Sequence, residues 1–409
     1  MSFLILVRIT DTLTAFLTEH RIRSGTGYFL RALIADTLYI YQHLSFFQMT
    51  LRNSLLATLL LFIALPAYSQ GFEQAKYGGD FLSVGGGARP LGMGSAYTSV
   101  TNDVLSGYWN PAGLSGIEDW QFAYMHSERF AGVVGYDYGA VAIPISGSDG
   151  VAAVSFFRQG VDGIKNTLHA WDPEQNRPRS DPESYMREFS TADMAFFLSY
   201  ANRFSSEWHW GVSAKVLNSR LGPFADAWGY SIDAGVQMRG ERYQFGVNVM
   251  NLTTLMKFWS VDHSELEALE SFINPETGEP ETLPEGTNEY VRPSIKIGGS
   301  RIFKFGDYLL TTAFDTDILF EGRRTYYINL GDVSFQPHLG AELGYKDVVF
   351  VRAGITDVHI DDENDVFVSP TLGSGLKIGA FSVDYGFSSF AGIASDLGFT
   401  HRISLQLTL

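Results

Sequence analysis

Long stretches of this chain alternate apolar and polar residues with a period of two. Over 230–239, Tyr230, Ile232, Ala234, Val236 and Met238 share one face, and Ser231, Asp233, Gly235, Gln237 and Arg239 share the other. At the C-terminus, His401, Ile403, Leu405, Leu407 and Leu409 oppose Thr400, Arg402, Ser404, Gln406 and Thr408. A β-strand throws successive side chains to opposite faces, so each stretch is a strand with one greasy and one wet face. Fourteen such segments run near 117–127, 134–145, 150–160, 188–203, 207–219, 227–239, 242–252, 290–303, 307–318, 335–345, 348–357, 367–379, 381–390 and 397–409. Most reach the roughly 9–11 residues of a tilted strand that crosses a bilayer. Strands of soluble proteins centre on about 5–6 residues.

The connections narrow the choice further. Tight turns follow the even-numbered segments, at Gly147-Ser148-Asp149, Phe204-Ser205-Ser206, Gly240-Glu241, Lys304-Phe305-Gly306, Lys346-Asp347 and Ala380. Longer loops follow segments 3, 7, 9 and 11, over 161–187, 253–289, 319–334 and 358–366. Short turns on one side and long loops on the other are the arrangement of an outer-membrane barrel, which also has an even strand number. A soluble sandwich or propeller alternates too. Its inward face, however, is dry, whereas here the polar face carries Lys215, Asp233, Arg239, Glu342, Arg352, Lys377 and Arg402. The expected fold is therefore all-β, a 14-stranded antiparallel transmembrane β-barrel over 117–409, with both mature ends on the short-turn side. The last residue, Leu409, departs from the aromatic that often ends such barrels.

Composition removes other classes. The full chain carries 29 Lys and Arg against 45 Asp and Glu, a formal charge of −16. That balance opposes nucleic-acid binding, which needs a basic stripe. With no Cys, thiolate metal sites, catalytic thiols and disulfides are excluded.

Residues 49–69 have the form of a secretory signal: Met49-Thr-Leu-Arg52, the apolar run Leu55–Leu65, then Ala67-Tyr68-Ser69. The run is shorter than the roughly 20 apolar residues of a spanning helix. Export signals stand at the start of a chain, so residues 1–48 are expected to be a mis-assigned extension ahead of Met49.

Between signal and barrel, residues 70–116 form an expected N-terminal plug. Residues 76–116 read KYGGDFLSVGGGARPLGMGSAYTSVTNDVLSGYWNPAGLSG, too Gly-rich and irregular for a strand. Phosphate cradling does not explain the glycines, since neither G-x-G-x-x-G nor a following Lys is present. Pro111 fixes φ and lacks an N–H, and Asn110 favours a turn. Arg89 needs a carboxylate or carbonyl partner inside the barrel. Phe81-Leu82, Gly87-Ala88-Arg89, Leu91-Gly92-Met93-Gly94, Ala96-Tyr97 and Tyr108-Trp109-Asn110-Pro111-Ala112-Gly113-Leu114 together resemble the PorV/PorQ family of outer-membrane proteins, relatives of the FadL fatty-acid transporters. The Asn-Pro-Ala triplet is similar to the motif in the lumen-plugging segment of FadL-type proteins.

The resemblance implies a non-enzymatic component of type IX secretion in the cell outer membrane. It would bind a translocon barrel, the C-terminal domains of exported cargo or attachment-complex proteins, and would sit in outer-membrane lipid. The FadL relatives imply an alternative, transport of long-chain fatty acids or other hydrophobic ligands. The expected plug motif is Gly87, Ala88, Arg89, Gly92, Met93, Gly94, Trp109, Asn110, Pro111, Ala112 and Gly113, in a mainly structural role. Leu255, Met256, Phe258 and Trp259 open the longest loop as a helix or lip, a contact for a partner or ligand, or else occupy a girdle position.

Acidic residues crowd two long loops: Asp262, Glu265, Glu267, Glu270, Glu276, Glu279, Glu281, Glu285 and Glu289, and then Asp357, Asp361, Asp362, Glu363 and Asp365. They are expected to be solvated, because the second set lacks calcium-loop spacing. No G-x-S-x-G or H-E-x-x-H occurs and the His residues are scattered, so no catalysis, cofactor, metal or nucleic acid is expected. N-terminal sequencing of the exported protein should begin at Gln70, after cleavage at Ser69. Any peptide from 1–48 in the mature material would overturn the assignment of the start.

Overall fold

The computed structural model describes residues 71–172, 175, 177–266, 283, 285–325, 327–360, 366–389 and 398–409. The expected signal and the extension before it lie outside these residues, as do Glu267, Glu270, Glu276, Glu279, Glu281, Asp361, Asp362, Glu363 and Asp365.

The alternating segments are strands that pair antiparallel with their sequence neighbours. They are β2 (Gln121–Arg129), β3 (Val134–Pro144), β4 (Val151–Asn166), β5 (Arg187–Arg203), β6 (Trp208–Leu221), β7 (Ala225–Arg239) and β8 (Tyr243–Met250). The chain continues through β9 (Leu255–Val261), β10 (Asn288–Val291), β11 (Ser294–Phe305), β12 (Tyr308–Leu319), β13 (Val333–Tyr345), β14 (Val349–Ile360), β15 (Val366–Ile378), β16 (Phe381–Ser389) and β17 (Phe399–Thr408). Gln121 to Glu128 of β2 pair with Thr408 to His401 of β17, which closes the sheet on itself. β9 carries β8 onward along β7, and β10 does the same for β11, so the wall has fourteen positions. Closure leaves no unpaired edge in lipid, which a bilayer demands because it offers the backbone no hydrogen bonds.

The two faces separate as the dyads require. Val154, Phe196, Leu198, Val216, Val351, Leu372 and Leu405 are exposed on the outside. Aromatic residues ring the short-turn end (Trp208, Tyr243, Phe305, Tyr308, Phe381) and the long-loop end (Trp228, Tyr230, Phe258, Phe399). An apolar outer belt between two aromatic girdles identifies an outer-membrane barrel. Lys215, Asp233, Glu342, Arg352 and Arg402 are buried on the inside. Lys377 stands exposed at the short-turn mouth, where it donates to Asp347 at 2.6 Å.

Three features depart from the sequence reading. The wall starts at Gln121, and Ile117 is still buried with the preceding segment. Residues 255–259 are part of strand β9 and not a helix, because Met256 to Val261 ladder onto Tyr230 to Ala225. The first described residues do not lie on the short-turn side either. β1 (Phe72–Gln74) pairs parallel with Asn288 to Tyr290 of β10, on the long-loop half of the wall. A three-residue strand is too short to show a period, so this pairing had no sequence signal.

Replacing the outward Val216 by Lys should lower the free energy of unfolding from lipid vesicles by about 2–4 kcal/mol, the cost of a cation near the bilayer midplane. Urea titration of refolded protein measures it.

Candidate functional site

The segment that follows β1 lies inside the barrel. Ala88, Met93, Ala96, Tyr97, Val104, Trp109, Ala112 and Leu114 are almost wholly buried there. It has little regular structure, a short helix at Ala88–Gly92, another turn at Ser106–Trp109 and a 3-10 turn at Pro111–Gly116. Local turns bond some of its amides, and the remaining peptide groups would lack partners without the polar inner wall.

The wall supplies those partners one by one. Arg402 donates to the carbonyls of Gly85, Gly87 and Val84 at 2.9, 3.1 and 3.1 Å. Ser404 Oγ accepts from Ala88 N at 2.7 Å, and Thr371 Oγ1 donates to Gly92 O at 3.2 Å. The Asp315 carboxylate accepts from the amides of Tyr97 and Thr98 at 2.8 and 2.6 Å. Gln237 donates to Ser99 O and Thr101 O, Asn248 to Trp109 O and Arg239 to Gly113 O.

Every residue of the expected plug motif lies in this contact. Arg89 finds the partner its charge requires: Nε and Nη2 each donate to Glu342 at 2.8 Å, in a bidentate pair. Glu342 is shared with Arg352, which donates to Asp384 at 2.7 Å. Asn110 caps the Pro111 turn by accepting from Ala112 N at 3.2 Å, and donates to Thr98 O and Val236 O. Trp109 Nε1 donates to Gly86 O at 2.7 Å, and its ring meets Tyr108 and Tyr97 edge-on. Gly94 turns with φ 62° against the wall backbone, where a Cβ would strike Leu339 O and Ile355.

At the long-loop mouth a cavity of about 580 Å³ opens between β5, β6, β7 and β9. Phe189, Leu221, Phe224, Trp259, Val261 and Leu266 make it mostly apolar, and Lys165, Asn166, Glu285 and Glu289 also line it. Of the expected contact residues, only Trp259 lines it. Leu255 is buried, facing the inner segment near Gly79, and Phe258 points outward to stack on Tyr230 and meet Phe72. Met256 is partly buried in the β9 ladder.

On the same long-loop side, β1 and the residues after it are clasped to residues 320–325. Gln74 donates to Glu321 O at 3.2 Å, Lys76 to Arg323 O, and Arg324 pairs with Asp80 and, at 3.1 Å, with Glu321. The Arg324 guanidinium lies 4.6 Å from the Tyr77 ring and 5.2 Å from that of Tyr327. Burial pushes the Glu321 carboxyl up to about 7 despite Arg324. Among the described residues no group of three His, Asp or Glu converges as a metal ion would need.

These features define an outer-membrane β-barrel whose lumen is occupied by its own N-terminal segment. No protein-family model and no curated protein sequence matches the chain. Among solved structures it is similar to the toluene transporter TbuX of Ralstonia pickettii, at 12% identity and a TM-score of 0.47, over 80% of this chain and 98% of that one. It is likewise similar to the toluene transporter TodX of Pseudomonas putida, at 12% identity and 0.47, over 83% and 98%. A FadL homologue of Pseudomonas aeruginosa aligns at 14% identity and 0.42, over 78% and 97%. The fold assignment rests on the closed strand ladder, and scores below 0.5 add no weight to it.

Arg89→Ala should lower unfolding stability by about 3 kcal/mol, because it removes one partner from a buried pair. Arg89→Lys should recover only part of that, because an ammonium cannot form the bidentate fork. Equal stability of all three proteins in urea titration would show that the pair contributes nothing.

Proposed function

We propose that this barrel is a FadL-like transporter of hydrophobic compounds across the outer membrane, with residues 70–116 as its hatch. The mouth cavity carries the reading. Its volume is that of a small-molecule site, about 300–1,000 Å³, and an apolar lining with a few polar groups is what such sites have. A greasy molecule partitions there from water because Phe189, Phe224 and Trp259 remove its surface from solvent. Passage beyond it requires the inner segment to shift, since that segment fills the lumen below. The motif residues Gly87 to Gly94 and Trp109 to Gly113 then hold the hatch shut, Arg89 through Glu342 and Asn110 through Val236 O of the wall.

The PorV/PorQ resemblance implies a different use, in which outer loops engage secreted cargo or a translocon. That use calls for recognition on the loop surface and leaves the apolar cavity without a task.

A reversible lock tests the hatch. The Cβ of a residue at 107 would lie 3.9 Å from the Ser199 Cβ, and disulfides bridge about 3.8 Å. Oxidised Gly107→Cys/Ser199→Cys protein in vesicles should pass labelled oleate or toluene at least about ten-fold more slowly than wild type, with reductant restoring the rate. Wild-type flux no greater than that of empty vesicles, with secretion proteins co-purifying instead, would overturn transport. Flux that is unchanged by the lock would overturn the hatch alone.

A further inference from the structure

One part of the outer wall breaks the apolar rule. At the seam where β2 meets β17, Tyr124, His126 and Glu128 of β2, Asp137 of β3, Arg158 of β4 and His401 of β17 all point away from the lumen. Their immediate neighbours Met125, Ser127, Tyr136, Tyr138, Phe157 and Arg402 are the ones buried inside. Asp137 is the centre: it accepts from Tyr124 Oη at 2.8 Å, pairs with His126 Nδ1 at 2.9 Å, and lies 3.5 Å from Arg158. On the flank, Tyr385 Oη and His401 Nδ1 are 2.7 Å apart. Glu128 is left over, with 62% of its side chain exposed and its nearest cationic group, His126 Nε2, at 3.6 Å.

The patch lies within the apolar belt and not above it. Phe156, Val383 and Ile403 flank it toward the short turns, and Phe130, Val133 and Phe399 toward the long loops, all exposed. The charged cluster therefore lies just inside the long-loop girdle, within the apolar belt, an arrangement that costs stability unless something polar covers it.

We infer that this seam is the contact face for a second copy of the chain. The charge pattern chooses the occupant. An anionic lipid headgroup needs a cationic patch, whereas this one has a single Arg against Asp137 and Glu128. A two-fold contact sets a patch against itself, so both signs must be present in it. They are: an under-partnered acid, Glu128, stands beside Arg158 and two His. The surface also permits close approach. Gly135 lies on the outer face of β3, and a Cβ there would meet nothing within 4 Å, while the Arg158 guanidinium lies over the neighbouring Gly160. The pairing is independent of what the lumen carries.

The chain lacks Cys, so single cysteines report the contact in native membranes. Gly135→Cys or Glu128→Cys, treated with a mild oxidant, should give a disulfide-linked dimer, at least about ten-fold more than Ile297→Cys, exposed on β11 of the opposite wall, because bridging needs Cα atoms within about 7 Å. A heat-dependent shift in gel mobility confirms that each variant is a folded barrel. Folded variants that give no dimer, dimer in equal yield from Ile297→Cys, or cross-links to a different protein would each overturn the inference.

Discussion

A peptide group inside a closed barrel has no bulk water to bond, and that constraint organises the molecule. In the wall the strand ladders answer it. In the lumen the chain between Phe81 and Ile117 is mostly irregular, and side chains of the wall answer it instead. Arg402, Asp315, Gln237, Asn248 and Arg239 each direct donors or acceptors at main-chain atoms of that segment. The polar inner face is thus a fitted complement to one particular backbone path. The bidentate Arg89–Glu342 pair reverses the arrangement, with the segment providing the side chain. Satisfied polar networks in a low-dielectric interior favour a single arrangement, because any shift strands several groups at once.

The same constraint explains a break in the wall. Between Met250 and Leu255 on one strand, and between Val291 and Ser294 on its partner, the ladder changes register. β10 then turns its free edge to β1, which pairs with it over Phe72–Gln74. Gln74, Lys76 and Asp80 continue to residues 320–325. The start of the described chain therefore completes the long-loop half of the wall before the segment enters the lumen. Shifting the inner segment and disturbing this clasp are mechanically linked, since four residues separate Lys76 from Phe81 and both ends are held.

The barrel was legible in the sequence because a wall with lipid on one side and polar groups on the other forces a dyad, and a dyad needs only local residues to be seen. All fourteen segments fall on observed wall positions, and the tight turns at Gly240-Glu241 and Lys346-Asp347 fall where strands reverse. The need of Arg89 for a partner was legible from its charge, but the partner was not. Glu342 is 253 residues away, and no period connects them. The placement of β1 and the strand character of Leu255–Trp259 depend on pairings between distant residues, which local patterning does not encode.

One long-range signal was present and went unread. Gly211, Gly235, Gly246, Gly340, Gly354, Gly373 and Gly386 occupy inward positions of their strands, where the dyad alone counts them only as not apolar. At each, a Cβ would run into the inner segment: Pro111 at Gly211, Asn110 at Gly235, Thr98 at Gly246, Met93 at Gly340, Gly94 at Gly354, Gly92 at Gly373 and Ala88 at Gly386. Glycine weakens a strand, so its recurrence on the inner face of seven strands requires a compensating gain. The gain is direct contact of the inner backbone with the wall backbone, which brings main-chain atoms within reach of short side chains such as Ser404 and Thr371. Inward glycines in a barrel wall therefore trace the path of whatever lies against it. Here that path runs along the residues that the Gly-Ala-Arg, Gly-Met-Gly and Asn-Pro-Ala motifs had singled out.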